Sequence, residues 1–415
     1  MTPNPQLMTT VEQLGYRVTC GDVATHSGMH IEDARSGLLA LANQTGGHLA
    51  VTDTGEVVYA LAPDFRQVLL RKYVRLQFEE WIGKIWVVLF YLVKISFGIL
   101  LIASISVVYL TILAITLAAI FSDSSGGDCA GSCVLDSFGW GGNSSSTESD
   151  KSKRKKGKEQ SYALIREKTQ RKSLNFLEAV FSVLFGDGNP NADLEQRRWS
   201  YIGNLIHRQQ GAVIGEQIAP FLDNLGQGFD REYENYMLPV LTKFNGIPEV
   251  SPNGQLVYHF PDLQTTIKDP TGASKRVPQI LRERKWKFSQ ASPDQTQWSI
   301  VLGIANLVGI GVLGLMLSHA SGGLVSGALL GLAIYGVGLV TIPSCRYFWV
   351  KYQNSQVKIR NRSRHEQVEL LRQDSSIQEK LDFARQFAKQ HKITDRDIIY
   401  TTEEDALAQE FKRLE

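Results

Sequence analysis

Charged side chains are absent from one long stretch of the chain: Trp298 to Ile342 holds no Lys, Arg, Asp or Glu. That absence excludes a solvated segment and leaves room for two membrane crossings of about 20 residues each. Cysteine is scarce. The four residues, Cys20, Cys129, Cys133 and Cys345, are too few and too scattered for a disulfide scaffold, so a reducing compartment is expected. Met1 to Leu14 lacks both a basic residue and an apolar run, so no signal peptide is legible and targeting through an internal membrane segment is expected. Catalytic motifs are lacking as well. There is no Gly-rich phosphate loop, zinc helix or nucleophile elbow, and the eight histidines are scattered, which argues against an enzyme.

The uncharged stretch reads as a hairpin, with helices over Trp298–Ser318 and Leu324–Ile342 joined by a turn at His319–Gly323. Gly327 and Gly331 form a GxxxG pair, expected to serve helix packing. A second apolar run, Ile85 to Phe121, is broken only by Lys94, and Ile95–Phe121 reads as one tilted crossing, with a re-entrant turn near Ser104–Ser106 as the alternative. Residues 64–94 interleave basic and apolar side chains and predict an amphipathic helix leading onto the membrane surface.

Ahead of these segments, residues 9–63 predict three helices and a β-hairpin. Ile31, Ala34, Leu38, Leu41 and Ala42 recur at helical spacing, and His48–Val51 and Glu56–Tyr59 flank a tight turn ending in Gly55. That order is the order of a winged helix. Residues 173–263 repeat the pattern: Leu39 to Tyr59 lies over Leu238 to Tyr258, Gly47 on Gly246 and Gly55 on Gly254, while upstream Gly215-Glu216-Gln217-Ile218-Ala219 answers Gly21-Asp22-Val23-Ala24. An apolar helix, Phe176–Phe185, precedes the second module and a basic linker, 264–297, follows it. The expected fold is therefore an α-helical integral membrane protein with two winged-helix-like modules and a helical C-terminal arm over 343–415.

Basic side chains are scarce where a DNA reader needs them. Residues 11–62 hold two against six acidic ones, and residues 211–262 two against seven. Phosphate is repelled by both modules, so nucleic acid is not an expected partner. The acidic starts of the third helices, Glu32-Asp33 and Glu232 with Glu234, are instead candidate contacts for a basic protein partner. The linker 122–172 carries Cys129 and Cys133 and a basic run, Lys151 to Lys158, suited to anionic lipid. The two thiols are weak metal candidates, since a structural zinc or cluster site needs four ligands and no neighbouring His or Cys supplies the rest.

The run Phe176 to Pro190, the stretch Tyr236–Leu263 ending in Val257-Tyr258-His259-Phe260-Pro261, Lys285-Trp286-Lys287-Phe288-Ser289 and Thr341-Ile342-Pro343 resemble a membrane protein family shared by cyanobacteria and plant chloroplasts. Some catalogues label it an iron-sulfur cluster biosynthesis family. The resemblance implies a cyanobacterial membrane, the thylakoid with the plasma membrane as alternative, and a role supporting photosynthetic complexes; it does not imply an enzyme, and the residues lend no support to an iron-sulfur cofactor. An interaction or scaffold factor for a photosynthetic membrane complex is the leading expectation. An iron-sulfur or redox biogenesis factor and a membrane-tethered winged-helix regulator are the alternatives.

Overall fold

The computed structural model describes residues 4–72, 74–122, 175–267, 277–317, 323–373, 375–404 and 409. The chain folds as two units, one made of Met1–Lys84, Asn189–Trp286 and Tyr352–Glu415, the other of Ile85–Gly188 and Lys287–Lys351.

In the first unit, α1 (Pro5–Leu14) starts at Asn4, whose Oδ1 accepts the Gln6 N–H at 2.9 Å, and carries proline in its first turn. β1 (Arg17–Val18) leads into α2 (Cys20–Ser27). The start of α2 is doubly capped: Thr19 Oγ1 accepts the Asp22 N–H at 3.0 Å, and Asp22 Oδ2 accepts the Thr19 N–H at 3.3 Å. α3 (Ile31–Thr45) buries the five apolar residues that its spacing singles out. β2 (His48–Thr52) and β3 (Val57–Ala60) close the hairpin through Gly55 at φ +82°, a left-handed position that glycine takes without strain. The sheet order is β1-β3-β2.

α4 (Phe65–Lys72) departs from expectation. Phe65 and Leu69 are fully buried in the core of this module, and Arg66 donates to Glu12, so the first turns after the hairpin belong to the soluble fold and not to a membrane surface. The chain then runs through α5 (Val74–Ser122) and α6 (Phe176–Phe185) before returning at α7 (Leu194–Arg208).

From α7 onward a similar element order follows, with one additional helix. β4 (Ala212–Val213), α8 (Gly215–Ile218), α9 (Phe229–Glu232), α10 (Leu238–Phe244), β5 (Ile247–Val250) and β6 (Leu256–His259) follow, with sheet order β4-β6-β5. Main-chain hydrogen bonds coincide pair by pair. The Leu61 N–H donates to Tyr16 C=O at 2.8 Å and the Phe260 N–H to Gly211 C=O at 2.7 Å; Thr52 N–H donates to Glu56 C=O at 3.0 Å and Ser251 N–H to Gln255 C=O at 2.8 Å. The Thr52 and Ser251 hydroxyls accept the next N–H of each turn, both at 3.0 Å. Upstream, a helix-start hydrogen bond fixes the register that the sequence leaves open. Asp22 answers Gln217 and not Glu216, because Gln217 Oε1 accepts the Ile214 N–H at 3.2 Å as Asp22 accepts that of Thr19.

The C-terminal arm binds both modules. After β7 (Thr265–Ile267), α11 (Pro293–Met316) and the long α12 (Gly323–Gln373), α13 (Ser375–Ala384) lays Ile377 and Ala384 on Ile214 and Val257 of the second module. β8 (His391–Ile393) then pairs parallel with β7, and β9 (Ile398–Thr401) pairs antiparallel with β2, extending the first sheet to β1-β3-β2-β9. One apolar core runs through α1, α2, α3, α7 and α10, from Leu7 and Val11 to Ile206 and Phe244. The expected basic linker is also part of this fold: Leu281 is fully buried in the core, and Glu283 is buried between Arg360 and Arg364.

Among the described residues, three helices are long and apolar enough to cross a membrane: Ile85–Phe121 within α5, Pro293–Met316, and Gly327–Arg372 within α12, the last of which runs on from the second unit past Lys351. α5 is continuous through Ser104–Ser106, without a re-entrant turn, and α12 continues past Pro343. α6, an apolar helix too short to span and expected to rest either on the membrane or on the second module, packs in this unit. A Cβ on Gly98 of α5 would stand 2.6 Å from Leu177 Cα, and Phe97 and Phe185 stack edge to face at 4.9 Å. Its C-terminal carbonyls are capped by Arg346, which donates to Ser182 C=O and Val183 C=O at 3.0 Å each. Asn306 is fully buried and accepts from Ser104 Oγ at 3.1 Å, while Gly309 and Gly336 make the close helix approaches, to Val108 and to Ile310. Gly327 and Gly331, the expected packing pair, have open space where their Cβ atoms would be. The spacing of two glycines cannot say which face of a helix meets a neighbour.

Candidate functional site

The two modules of the first unit meet at α2 and α7. A Cβ on Gly28, at φ +71°, would stand 2.8 Å from Trp199 Cβ, and one on Gly203 would stand 2.9 Å from Thr25 Cα. Small residues on both helices thus bring the backbones together. Beside this crossing a cleft of about 850 Å3 opens, with Gln6, Thr9 and Gln13 of α1 on one wall and Ser200, Asn204 and Arg208 of α7 on the other. Each set recurs every three or four residues, so each helix turns one polar stripe into the cleft. At its floor, Asp22 Oδ1 accepts the Thr266 hydroxyl at 2.9 Å. Burial pushes the Asp22 carboxyl above the ordinary carboxylate range, against the opposing pull of its bonds from Thr266 and Thr19. His207 also lines the cleft, with its Nδ1 3.2 Å from Leu263 C=O.

Much of the acidity of the second module is neutralised inside the protein. Asp223 is shared by Arg198 and Arg364, and Arg364 also donates to Glu283 at 2.9 Å and to Leu281 C=O at 2.6 Å. Burial alone would push the carboxyls of Asp223 and Glu283 up; hydrogen bonds and charge from their arginines hold both below the ordinary range. Lys380 of α13 is buried between Glu216, at 2.8 Å, and Glu234.

That last pair corrects an expected contact. Glu234 is 8% exposed and ion-paired to Lys380, so it cannot belong to a surface offered to a partner. Glu32, Asp33 and Glu232 are exposed as expected, with Glu32 3.7 Å from Arg35. The missed partner had a signal: Lys380 sits within the apolar stripe Ile377, Leu381 and Ala384, where a lysine needs a buried carboxylate. Cys129, Cys133 and the basic run Lys151–Lys158 lie outside the described residues. Cys20 and Cys345 are free thiols in different units, and among the described residues no three His, Cys, Asp or Glu side chains converge on a metal position. Asp187 serves as a structural acceptor for Ser182 Oγ at 2.7 Å and Gln290 N–H at 2.9 Å.

These features define a mostly helical membrane protein whose soluble unit is assembled from three separate parts of the chain. It belongs to the family of an uncharacterized chloroplastic protein of Arabidopsis thaliana, with which it is 33% identical over 446 residues, covering 98% of this chain and 80% of the relative. No family model and no solved structure matches the chain.

Proposed function

We propose that the chain is a membrane-anchored docking factor that supports assembly or maintenance of a photosynthetic complex in a thylakoid membrane. In this reading its soluble modules are two copies of one winged-helix-like unit that present protein-binding faces in place of DNA-binding ones. The observation that carries it is a matched set of exposed residues. Asp33 and Leu39 of the first module correspond in sequence to Glu232 and Leu238 of the second, and the two leucines are 52% and 58% exposed. An exposed acid six residues ahead of an uncovered leucine, in both modules, repels phosphate and suits a partner surface that is basic and apolar. The chloroplastic relative supports the choice of membrane.

The test is the full chain carrying Glu32→Lys, Asp33→Lys and Glu232→Lys, leaving Glu234 in place. Photosynthetic complex subunits that copurify with the tagged parent from mild detergent should fall at least about tenfold, on the scale of interfacial charge reversal, with membrane content of the variant unchanged. Equal copurification, or unchanged amounts of every photosynthetic complex on deletion, refutes the reading.

A further inference from the structure

The outer edges of β2 and β5 occupy the same place in the two modules, yet only β2 carries another strand. Alternate residues of β2 point their N–H groups away from β3. Of these, Leu49 N–H donates to Thr402 Oγ1 at 2.8 Å, Asp53 N–H donates to Asp397 C=O at 2.9 Å, and Val51 between them pairs with Tyr400. Thr402 N–H returns a bond to Leu49 C=O at 2.9 Å. The tail strand is thus held at both ends by backbone donors of the first module.

In the second module the residues equivalent to Leu49 and Asp53 are Pro248 and Pro252. Proline has no N–H. Both terminal donors of the edge are therefore removed, and Val250 keeps the one between them. Glu249 stands where Ala50 is buried beneath Ile393 and Ile398. The edge is otherwise uncovered: among the described residues no strand pairs with its outer side, and Val250 is 62% exposed. Proline on a sheet edge is a general barrier to strand addition.

We propose that the β2 edge is the strand-accepting surface of this protein, reserved for its own tail strand β9, and that Pro248 and Pro252 exclude that strand from the twin edge of β5. Two equivalent edges within one unit would otherwise compete for one extended segment, and a tail seated on the wrong one would leave β2 bare. The prolines act on the choice by removing backbone donors, and Glu249 adds a charge where Ala50 takes an apolar cover.

The experiment grafts the first edge onto the second in the full detergent-solubilised chain: Pro248→Leu, Glu249→Ala and Pro252→Asp. A synthetic peptide of residues 391–404, bearing a photo-crosslinker in place of Tyr400, is titrated against parent and graft. The parent should take up no peptide, because β9 fills β2 and the prolines seal β5. The graft should take one peptide per chain, crosslinked at Val250, and restoring Pro248 and Pro252 over Glu249→Ala should abolish that uptake. A reciprocal variant, Leu49→Pro with Asp53→Pro, should lose the disulfide that Val51→Cys and Tyr400→Cys form in the chain with all native cysteines replaced by serine. Peptide bound at Val250 of the parent overturns the proposal. So does a graft that takes none, or a β2–β9 disulfide that survives the two prolines.

Discussion

Replacing Arg364 by Met should destabilise the soluble unit far more than the same change at Arg360, although both arginines hold Glu283. Arg364 and Glu283 are each 4% exposed at the side chain, whereas Arg360 is 42% exposed. Removing Arg364 leaves two carboxylates, Glu283 and Asp223, short of a partner and frees Leu281 C=O, which it reaches at 2.6 Å. Breaking a buried pair from one side costs about 3–5 kcal/mol, whereas Arg360, whose charge is screened by water, should contribute about 1 kcal/mol or less. The larger loss raises the open population by roughly two to three and a half powers of ten. Native-state proteolysis of the full chain in detergent reads this directly where opening and closing outpace cleavage. A paired change, Arg364→Met with Glu283→Met, should recover part of the loss, since two apolar groups replace a half-broken pair. An Arg364→Met chain within about 1 kcal/mol of the parent, the range of a surface pair, would refute the reasoning, as would equal losses at both arginines.

Three further outcomes are expected. Asp22→Asn should keep the fold and flatten its pH response: the raised Asp22 contributes stability below the ordinary aspartate pKa that is lost as pH rises through its folded value, and the measurement is proteolytic opening against pH. Asp223 and Glu283 act in the opposite sense, present above the ordinary carboxylate range and lost as pH falls through their depressed values, so Arg364→Met should also weaken acid sensitivity in the same assay. Gly28→Ala should cost about 1–3 kcal/mol, because a Cβ there meets Trp199 at a left-handed φ, while Gly327→Ala should be silent in a thermal aggregation scan of the monomer.

What was legible in the chain is what local periodicity controls. The stripe of α3, the Gly55 hairpin and its echo at Gly254 depend on neighbours a few residues away, and so did the apolar lengths of α5 and α11. The role of Glu234 was not legible, because burial there depends on Lys380, 146 positions later in the chain. The acid count of the second module is legible, but three of those seven acids, Glu216, Asp223 and Glu234, face arginines and a lysine brought by α7 and by the C-terminal arm. Composition reports charge; only the tertiary fold decides whether it is solvated or paired. Phe65 and Leu69 show the same gap, since an apolar stripe beside basic residues fits a soluble core as well as a bilayer surface.

The pairing of β9 with β2 sets a timetable for biosynthesis. Leu49 and Thr402 are 353 residues apart, so at about 5–20 residues per second the first sheet waits roughly 20–70 s for its fourth strand after β2 leaves the ribosome. All three apolar helices are made within that interval. The sheet can be finished only after both loops of polypeptide carrying them have emerged, so until then β2 is a bare β-edge of the kind that other strands can pair with.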